Sequence, residues 1–278
     1  MAAGPTHLLV VDLETVPDDT VLPADRDPAG FPKPIQHRLV TLGFLLATID
    51  RDGQGECYRV RRLQAVGASA CDERTMLAGF WTLVDNTRPR VVSWNGRGFD
   101  LPVLKQRSLI HGLTALNWHR TEPRYGYDYR FEPNWHCDLM EVLSDYGASP
   151  RLGLDETARA LGLPGKWNGH GREVAEQIAA GDSAAVDRYC EGDVLNTYLI
   201  YLRWAYFSSR VSARGHNASV QNLIEFLEGG REAQPHWGEF LERWATSTQP
   251  CPRFVIEPTD QPGPQPTESH LRSEDVMS

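Results

Sequence analysis

The sequence predicts an α/β domain built on a mixed central sheet. Three observations carry this prediction. Two apolar, β-branched runs stand near the start, at residues 7–11 and 39–49, and a partly alternating stretch follows at 56–65. A helical period, a short apolar run and a second helical period then succeed one another between residues 72 and 112. From Asp138 onward the chain reads mostly as helix.

Taken in order, "HLLVV" (7–11) is a buried strand that runs on toward Glu14. Residues 17–38, rich in Pro and Asp, form a loop. Residues 39–49 are a strong strand, "DRDGQGE" a turn with Asp52-Gly53 as its hairpin signal, and 56–65 the returning strand. Asp72 is placed to cap a helix whose apolar positions 76, 77, 80, 81 and 84 keep helical spacing. "RPRVVSWNG" holds a short strand. "FDLPVLKQRSLIHG" is a helix with Asp100 and Pro102 in its first turn, closed by Gly112. Residues 117–137 form a long irregular segment. Helices follow at about 138–146, 154–161, 173–180, 183–207, 217–228 and 235–245, interrupted by the Gly-rich "GLPGKWNGHG". Residues 247–278, rich in Pro, Gln, Ser and Thr, lack an apolar period and are expected to be a disordered tail.

A length of 278 residues allows one large domain or two small ones. No run of eighteen apolar residues occurs, so no membrane span is expected. "MAAGPTHLLVVDLE" has no basic flank and reaches an acid at once, which makes it a strand and not a signal peptide. Cys57, Cys71, Cys137, Cys190 and Cys251 are odd in number and scattered, with no C-x-x-C pair. They read as the reduced thiols of a cytoplasmic protein. The net charge of −9 is a whole-molecule average and does not exclude an anionic partner, which responds to the local field. Lys33, Lys105 and Lys166 are the only lysines among 28 basic residues. Arginine suits bidentate phosphate contacts, and a GC-rich genome produces the same bias.

The chemistry lies in the carboxylates. Asp12 and Glu14 end the first apolar run two residues apart, so on a strand they share a face. Two buried anions that close repel each other unless a proton, an arginine or a metal ion compensates. Asp100 stands just past a strand, at a helix start; Tyr189 and Asp193, four apart, neighbour each other on a helix. Strand ends and helix starts meet at one edge of an open sheet. Four carboxylates there call for hard divalent cations such as magnesium. Two ions about 4 Å apart clamp the attacking and leaving oxygens of a phosphodiester. Taken singly, Asp12 and Glu14 could form a strand-end salt bridge, Asp100 could be an N-cap, and Tyr189 could be core. Asp138, ahead of "LMEVL", is read as a cap and not as a fifth ligand. Cys190 is read as packing; His136 and Cys137 lack partners at zinc-ligand spacing. Lys166 is followed by Trp and is no P-loop lysine, though it could meet a backbone phosphate. Arg120, Arg124 and Arg130 interleave with Trp118, Tyr125, Tyr127 and Tyr129, a pattern that suits single strands and equally suits rings pinning a long segment.

"VVDLET", "SWNGRGFDLPVL" and "YCEGD" resemble the three motifs of the DEDD 3′–5′ exonuclease superfamily. The Tyr-x-x-x-Asp spacing resembles its tyrosine branch, DEDDy; the histidine branch would carry its histidine where this chain has Arg188. "FDLP" and "YC" resemble the proofreading domain of family B DNA polymerases, and the "GLPGK" loop between the second and third motifs resembles the predicted bacterial exonucleases related to that domain. The resemblance spans about residues 6–207. It implies a ribonuclease H-like fold with a five-stranded mixed sheet, whose fifth strand would lie near "NWHCDL". It implies that Asp12, Glu14, Asp100 and Asp193 bind two Mg²⁺ or Mn²⁺ ions and that Tyr189 orients the attacking water. It further implies that Leu13, Thr15, Asn95, Phe99 and Lys166 contact substrate. The domain organisation expected is an exonuclease domain at 1–210, a helical extension packed on it at 211–246, and the tail at 247–278. The implied activity is metal-dependent release of nucleoside 5′-monophosphates from the 3′ end of a nucleic acid, single-stranded DNA first. A 3′-end trimming exoribonuclease is one alternative, since the choice between DNA and RNA depends on contacts to the 2′ position; a catalytically silent nucleic-acid-binding scaffold is the other.

Overall fold

The computed structural model describes residues 4–25, 27, 30–122, 124–166, 173–247 and 251–256. Its strands are β1 (His7–Pro17), β2 (His37–Asp52), β3 (Gly55–Gly67), β4 (Arg90–Ser93) and β5 (His136–Asp138). Its helices are α1 (Glu73–Thr87), α2 (Asp100–Ile110), α3 (Leu116–Arg120), α4 (Leu139–Leu143), α5 (Leu154–Ala160), α6 (Val174–Ala179), α7 (Ser183–Phe207), α8 (Ala213–Gly230) and α9 (Pro235–Ala245). The five strands form one sheet in the order β3-β2-β1-β4-β5. The β1–β2 and β2–β3 pairs are antiparallel, and β1–β4 and β4–β5 are parallel. This is the expected mixed sheet, with the fifth strand inside "NWHCDL".

Central strand β1 is apolar on both faces because helices cover both. Leu8 and Val10 pack in a core with Val194, Leu195 and Tyr198 of α7. Leu9, Val11 and Leu13 pack instead with Leu77, Phe80 and Trp81 of α1 and Leu101 and Leu104 of α2. Strand alternation then sends Asp12 and Glu14 to the α7 side, in line with Leu8 and Val10. Sixteen of the 25 residues of α7 are buried, which makes it the central helix.

Local signals account for the boundaries. Asp72 caps α1 by accepting the Thr75 N–H at 2.8 Å, and all five apolar positions named for that helix are buried. Gly112, at φ +63°, lets the chain leave α2 through the left-handed region. The hairpin turn differs from expectation: Asp52 pairs with Gly55 as the last ladder residue, so the two loop residues are Gly53 and Gln54. The Asp52 carboxylate accepts the Gln54 N–H at 2.8 Å and stabilises the reversal from within the strand. The expected 17–38 loop is trimmed at both ends, because Pro17 pairs with His37 and Val16 with Arg38. The helix expected over 138–146 ends at Leu143, followed by a 3₁₀ turn with Asp145 and Tyr146 at positive φ.

The C-terminal helices are fastened to the sheet through Glu191 of α7. Its carboxylate accepts the Ala65 N–H of β3 at 2.8 Å and the Trp237 indole N–H of α9 at 2.8 Å. His236 Nε2 lies 2.7 Å from the same carboxylate. The disorder expected from residue 247 does not extend to residues 251–256. There the Val255 backbone makes two 2.9 Å hydrogen bonds with the Asn217 amide, and the Tyr206 hydroxyl donates to the Ile256 carbonyl. Residues 248–250 and 257–278 of that tail lie outside the described residues. Among the described residues no helix is long and apolar enough to cross a membrane.

Candidate active site

Three of the four acids singled out in the sequence meet directly. One ligand oxygen each from Asp12, Glu14 and Asp193 lies within 4.8 Å of the others. Asp100 is buried in the first turn of α2, close enough for its charge to act on Asp12. The meeting has a local cause. The β1–β4 ladder ends at Val10 and Val92, so β1 runs on past its parallel neighbour. The Leu13 N–H on that overhang, together with the Asp100 N–H, hydrogen-bonds the Asp100 carboxylate.

Helix α7 reaches Asp12 because Gly43 has no side chain. A Cβ at 43, in the residue paired with Asp12, would lie 2.6 Å from Cys190 Sγ and 3.1 Å from Val194 Cγ2. At this close approach the Cys190 thiol donates to the Asp12 carboxylate at 3.4 Å and lies 3.5 Å from the Asp12 carbonyl oxygen. Sequence reasoning left Cys190 as packing; only its place beside Tyr189 hinted at the site.

Tyr189 and Asp193 share a cation. Lys166 Nζ donates to the Tyr189 hydroxyl at 2.6 Å and lies 2.9 Å from Asp193 Oδ2. The turn that delivers Lys166 is held by its own N–H to Asp155 Oδ1 at 2.7 Å and by a pair of hydrogen bonds between Asn196 of α7 and the Gly165 backbone. Gly165 sits at φ +71°, which favours glycine. Residues 167–171 of the same Gly-rich loop lie outside the described residues.

Burial dominates the electrostatics. It raises the Asp12 carboxyl well above the usual range, and Asp193, Asp100 and Glu14 raise it further while Lys166 pulls it back. Glu14 is raised to about 8, by burial and then by Asp193. Burial lifts Asp100 to about 7 against its two backbone hydrogen bonds. Asp193 is also raised by burial, with Lys166 and Tyr189 opposing. The Tyr189 phenol is raised by burial and by Asp193, so it keeps its proton at neutral pH. Among the described residues, the Lys166 ammonium faces four carboxylates, three buried and that of Asp12 half-buried, which leaves the cluster short of positive charge. An all-oxygen donor set of this kind fits hard divalent cations.

Asp138 acts as the expected cap of α4, accepting the Met140 N–H at 3.2 Å. It also accepts the N–H groups of Asn95 at 3.0 Å and Arg97 at 2.8 Å, and so fixes the loop that delivers Asp100. Asn95 adopts φ +60° in that loop. His136 Nε2 lies 2.8 Å from the Ser93 hydroxyl beneath it.

The residues expected to touch substrate fall in different places. The Leu13 side chain is buried in the α1–α2 core, on the face away from Asp12, and its N–H hydrogen-bonds Asp100. Thr15 lies beside the acids, with its hydroxyl 3.0 Å from His37 Nδ1. Phe99 is half-buried against His37, ring centroids 5.0 Å apart, and Phe31 stands 78% exposed beside both. Lys166 lies beside the acid cluster, its Nζ 2.9 Å from Asp193 Oδ2.

Residues 29–244 match the family described as predicted 3′–5′ exonucleases related to the exonuclease domain of PolB. The match includes Asp100, Tyr189 and Asp193; Asp12 and Glu14 precede it. No curated protein matches the sequence. Among solved structures the chain is similar to exonuclease I, at 13% identity and a TM-score of 0.39 over 81% of this chain and 44% of that one. E. coli exonuclease I in complex with a dT13 oligonucleotide is similar at 12% identity and a TM-score of 0.39, over 81% of this chain and 44% of that one. The same enzyme with a dA16 oligonucleotide gives 13% and 0.38, over 71% of this chain and 44% of that one. The chain therefore spans less than half the length of the exonuclease I chains it matches.

Proposed function

Because the chain belongs to the family of predicted 3′–5′ exonucleases related to the exonuclease domain of PolB, we propose that it removes nucleoside 5′-monophosphates stepwise from the 3′ end of single-stranded DNA. In this reading Asp12, Glu14, Asp100 and Asp193 hold two divalent ions, Mg²⁺ or Mn²⁺. The observation that carries it is the meeting of Asp12, Glu14 and Asp193 within 4.8 Å beside buried Asp100, with Tyr189 and Lys166 at the same spot. The ions supply Lewis-acid activation of water and of the scissile phosphate, and neutralise charge in the transition state.

The side chains do the positioning. Tyr189, a neutral phenol, orients water by hydrogen bonding and is too weak a base to deprotonate it. Lys166 donates to the phenol oxygen, and the phenol in turn hydrogen-bonds the Asp193 carboxylate, which fixes the direction of its hydroxyl. The same ammonium offers the scissile phosphate a cation. Cys190 holds one oxygen of Asp12 in place. In the same reading Thr15, Asn95 and Phe99 contact the 3′-terminal nucleotide, and Leu13 contributes through its backbone. The protein is read as cytoplasmic, the compartment that keeps its five free thiols reduced.

The test is incubation of 3′-labelled and 5′-labelled DNA and RNA with Mg²⁺, Mn²⁺ or EDTA. The expected result is stepwise loss from the 3′ end of DNA, abolished by EDTA and by Asp12→Ala. Faster shortening of RNA would move the substrate to the exoribonuclease class, and intact strands under every metal would overturn the enzyme reading.

A further inference from the structure

The segment from α3 to β5 divides its aromatic rings into two sets. Trp118 and Tyr127 are wholly buried and stack at 4.3 Å, and the Tyr127 hydroxyl donates to the Pro89 carbonyl. These rings pin the segment. Tyr125, Tyr129 and Phe131 are 44%, 38% and 58% exposed, and the core makes no use of them. They form a continuous row with Tyr146: centroids lie 5.0 Å apart from Tyr125 to Tyr129, 6.2 Å from Tyr129 to Phe131, and 5.1 Å from Phe131 to Tyr146. Arginines accompany the row. The Arg124 guanidinium lies 5.0 Å from the Tyr125 ring centre, and that of Arg130 lies 5.7 Å from Phe131.

The row is attached to the catalytic loop. Arg97, three residues before Asp100, donates to the Tyr127 carbonyl at 3.2 Å and the Tyr129 carbonyl at 2.9 Å. The Arg97 N–H is held by Asp138, which also holds Asn95. Two acids near the row are paired: Asp128 with Lys105, and Glu141 with Arg130 at 2.7 Å. Exposed ring faces with interleaved guanidinium groups are the chemistry that binds unpaired bases and their phosphates without reading sequence.

We propose that Tyr125, Tyr129 and Phe131 form a stacking track for a single-stranded nucleic acid, receiving the nucleotides that precede the scissile one and steering the 3′ end to the Asp12–Asp193 cluster. The track rests on the exonuclease reading for its direction, but its binding is measurable without catalysis.

The test uses the full chain and its Tyr125→Ala/Tyr129→Ala/Phe131→Ala variant, with melting temperature as the check on folding; Phe131→Ala alone serves if the triple variant does not fold. Anisotropy with a labelled oligonucleotide of about 15 nucleotides reports strand binding, and the expected loss of affinity is at least about tenfold. Turnover of the p-nitrophenyl ester of thymidine 5′-monophosphate with Mg²⁺ reports the acid cluster alone and is expected to stay within about twofold, since no stacked base is lost there. Unchanged affinity for the long strand overturns the track. So does an equal fall in ester turnover and strand affinity, which would make the segment a support of the active site. Should the wild-type chain hydrolyse neither ester nor strand, the exonuclease reading fails, and the anisotropy comparison still decides whether the rings bind a strand.

Discussion

The ammonium of Lys166 lies 2.6 Å from the hydroxyl of Tyr189 and 2.9 Å from the carboxylate of Asp193, bridging two residues that stand one turn apart on α7. Phenylalanine at 189 removes the hydroxyl and keeps the ring over Lys166. The expected outcome is a fall in kcat of about 100-fold or more, with KM changed little, as for loss of a group that positions water in the transition state. Single-turnover kinetics on a 5′-labelled strand check this. Equal kcat for both proteins would show that the hydroxyl does not position the water.

The four clustered acids work against folding when no metal is bound. Asp12→Asn mimics the protonated state that burial already favours. In EDTA at neutral pH this variant should be more stable than wild type by about 1–3 kcal/mol, while its hydrolysis is abolished. Added Mg²⁺ should raise the melting temperature of the wild type and leave that of the variant nearly unchanged. Differential scanning calorimetry with and without Mg²⁺ measures both effects.

Asp138 satisfies three backbone N–H groups at once, those of Asn95, Arg97 and Met140. Asp138→Ala should cost about 2–4 kcal/mol and slow hydrolysis by loosening the loop that carries Asp100. Asp138→Asn keeps one amide oxygen as an acceptor and should recover part of both losses. If Asp138→Asn were as inactive as Asp12→Asn, the residue would be a metal ligand and not an anchor.

Gly43 lets α7 approach the sheet, and a methyl group there would meet Cys190 Sγ at 2.6 Å. Gly43→Ala is expected to destabilise the protein by about 1–3 kcal/mol through overpacking. It should also weaken hydrolysis, because Cys190 and Asp12 move together. Denaturant melts combined with a rate assay separate the two effects. Pairing Gly43→Ala with Cys190→Ala should restore stability, and failure to do so would locate the clash elsewhere.

Far from the acids, Glu56 pairs with the buried Arg90 at 2.5 Å. Burial pushes the Glu56 carboxyl up, but the hydrogen bond and charge of Arg90, with the Tyr58 hydroxyl, outweigh it and hold it at about 2. A folded-state value below the usual 4.5 contributes stability that is fully present above the unfolded value and lost as pH falls from 4.5 toward 2. The contribution is up to about 3 kcal/mol. Glu56→Gln should flatten that acid limb in urea melts and, by leaving Arg90 unpaired, cost about 3–5 kcal/mol near neutrality.

Much of the arrangement was legible because it is written in short-range pattern. The β1 and β2 runs, the Asp72 cap and the long helix at 183–207 follow from local chemistry, and the structure reproduces them. Motif spacing brought together the names Asp12, Glu14, Asp100, Tyr189 and Asp193, and the structure brings together their side chains. Less legible were partners supplied by distant segments. The contact of Lys166 with Tyr189 spans 23 residues, and that of Cys190 with Asp12 spans 178. Neither leaves a periodic trace. The tail was misjudged at residues 251–256 because a pair of hydrogen bonds to Asn217 needs no apolar period.

The sequence by itself determined which residues could carry charge to the site, and on which face of β1 two of them would stand, because alternation along a strand is a local rule. Only the tertiary structure decided how many such groups meet, how deeply they are buried and what balances them. That depends on Gly43 letting a helix close in, on β1 outrunning β4, and on a lysine arriving from another turn. Burial and mutual repulsion belong to the assembled cluster, so they arise only once these segments have come together.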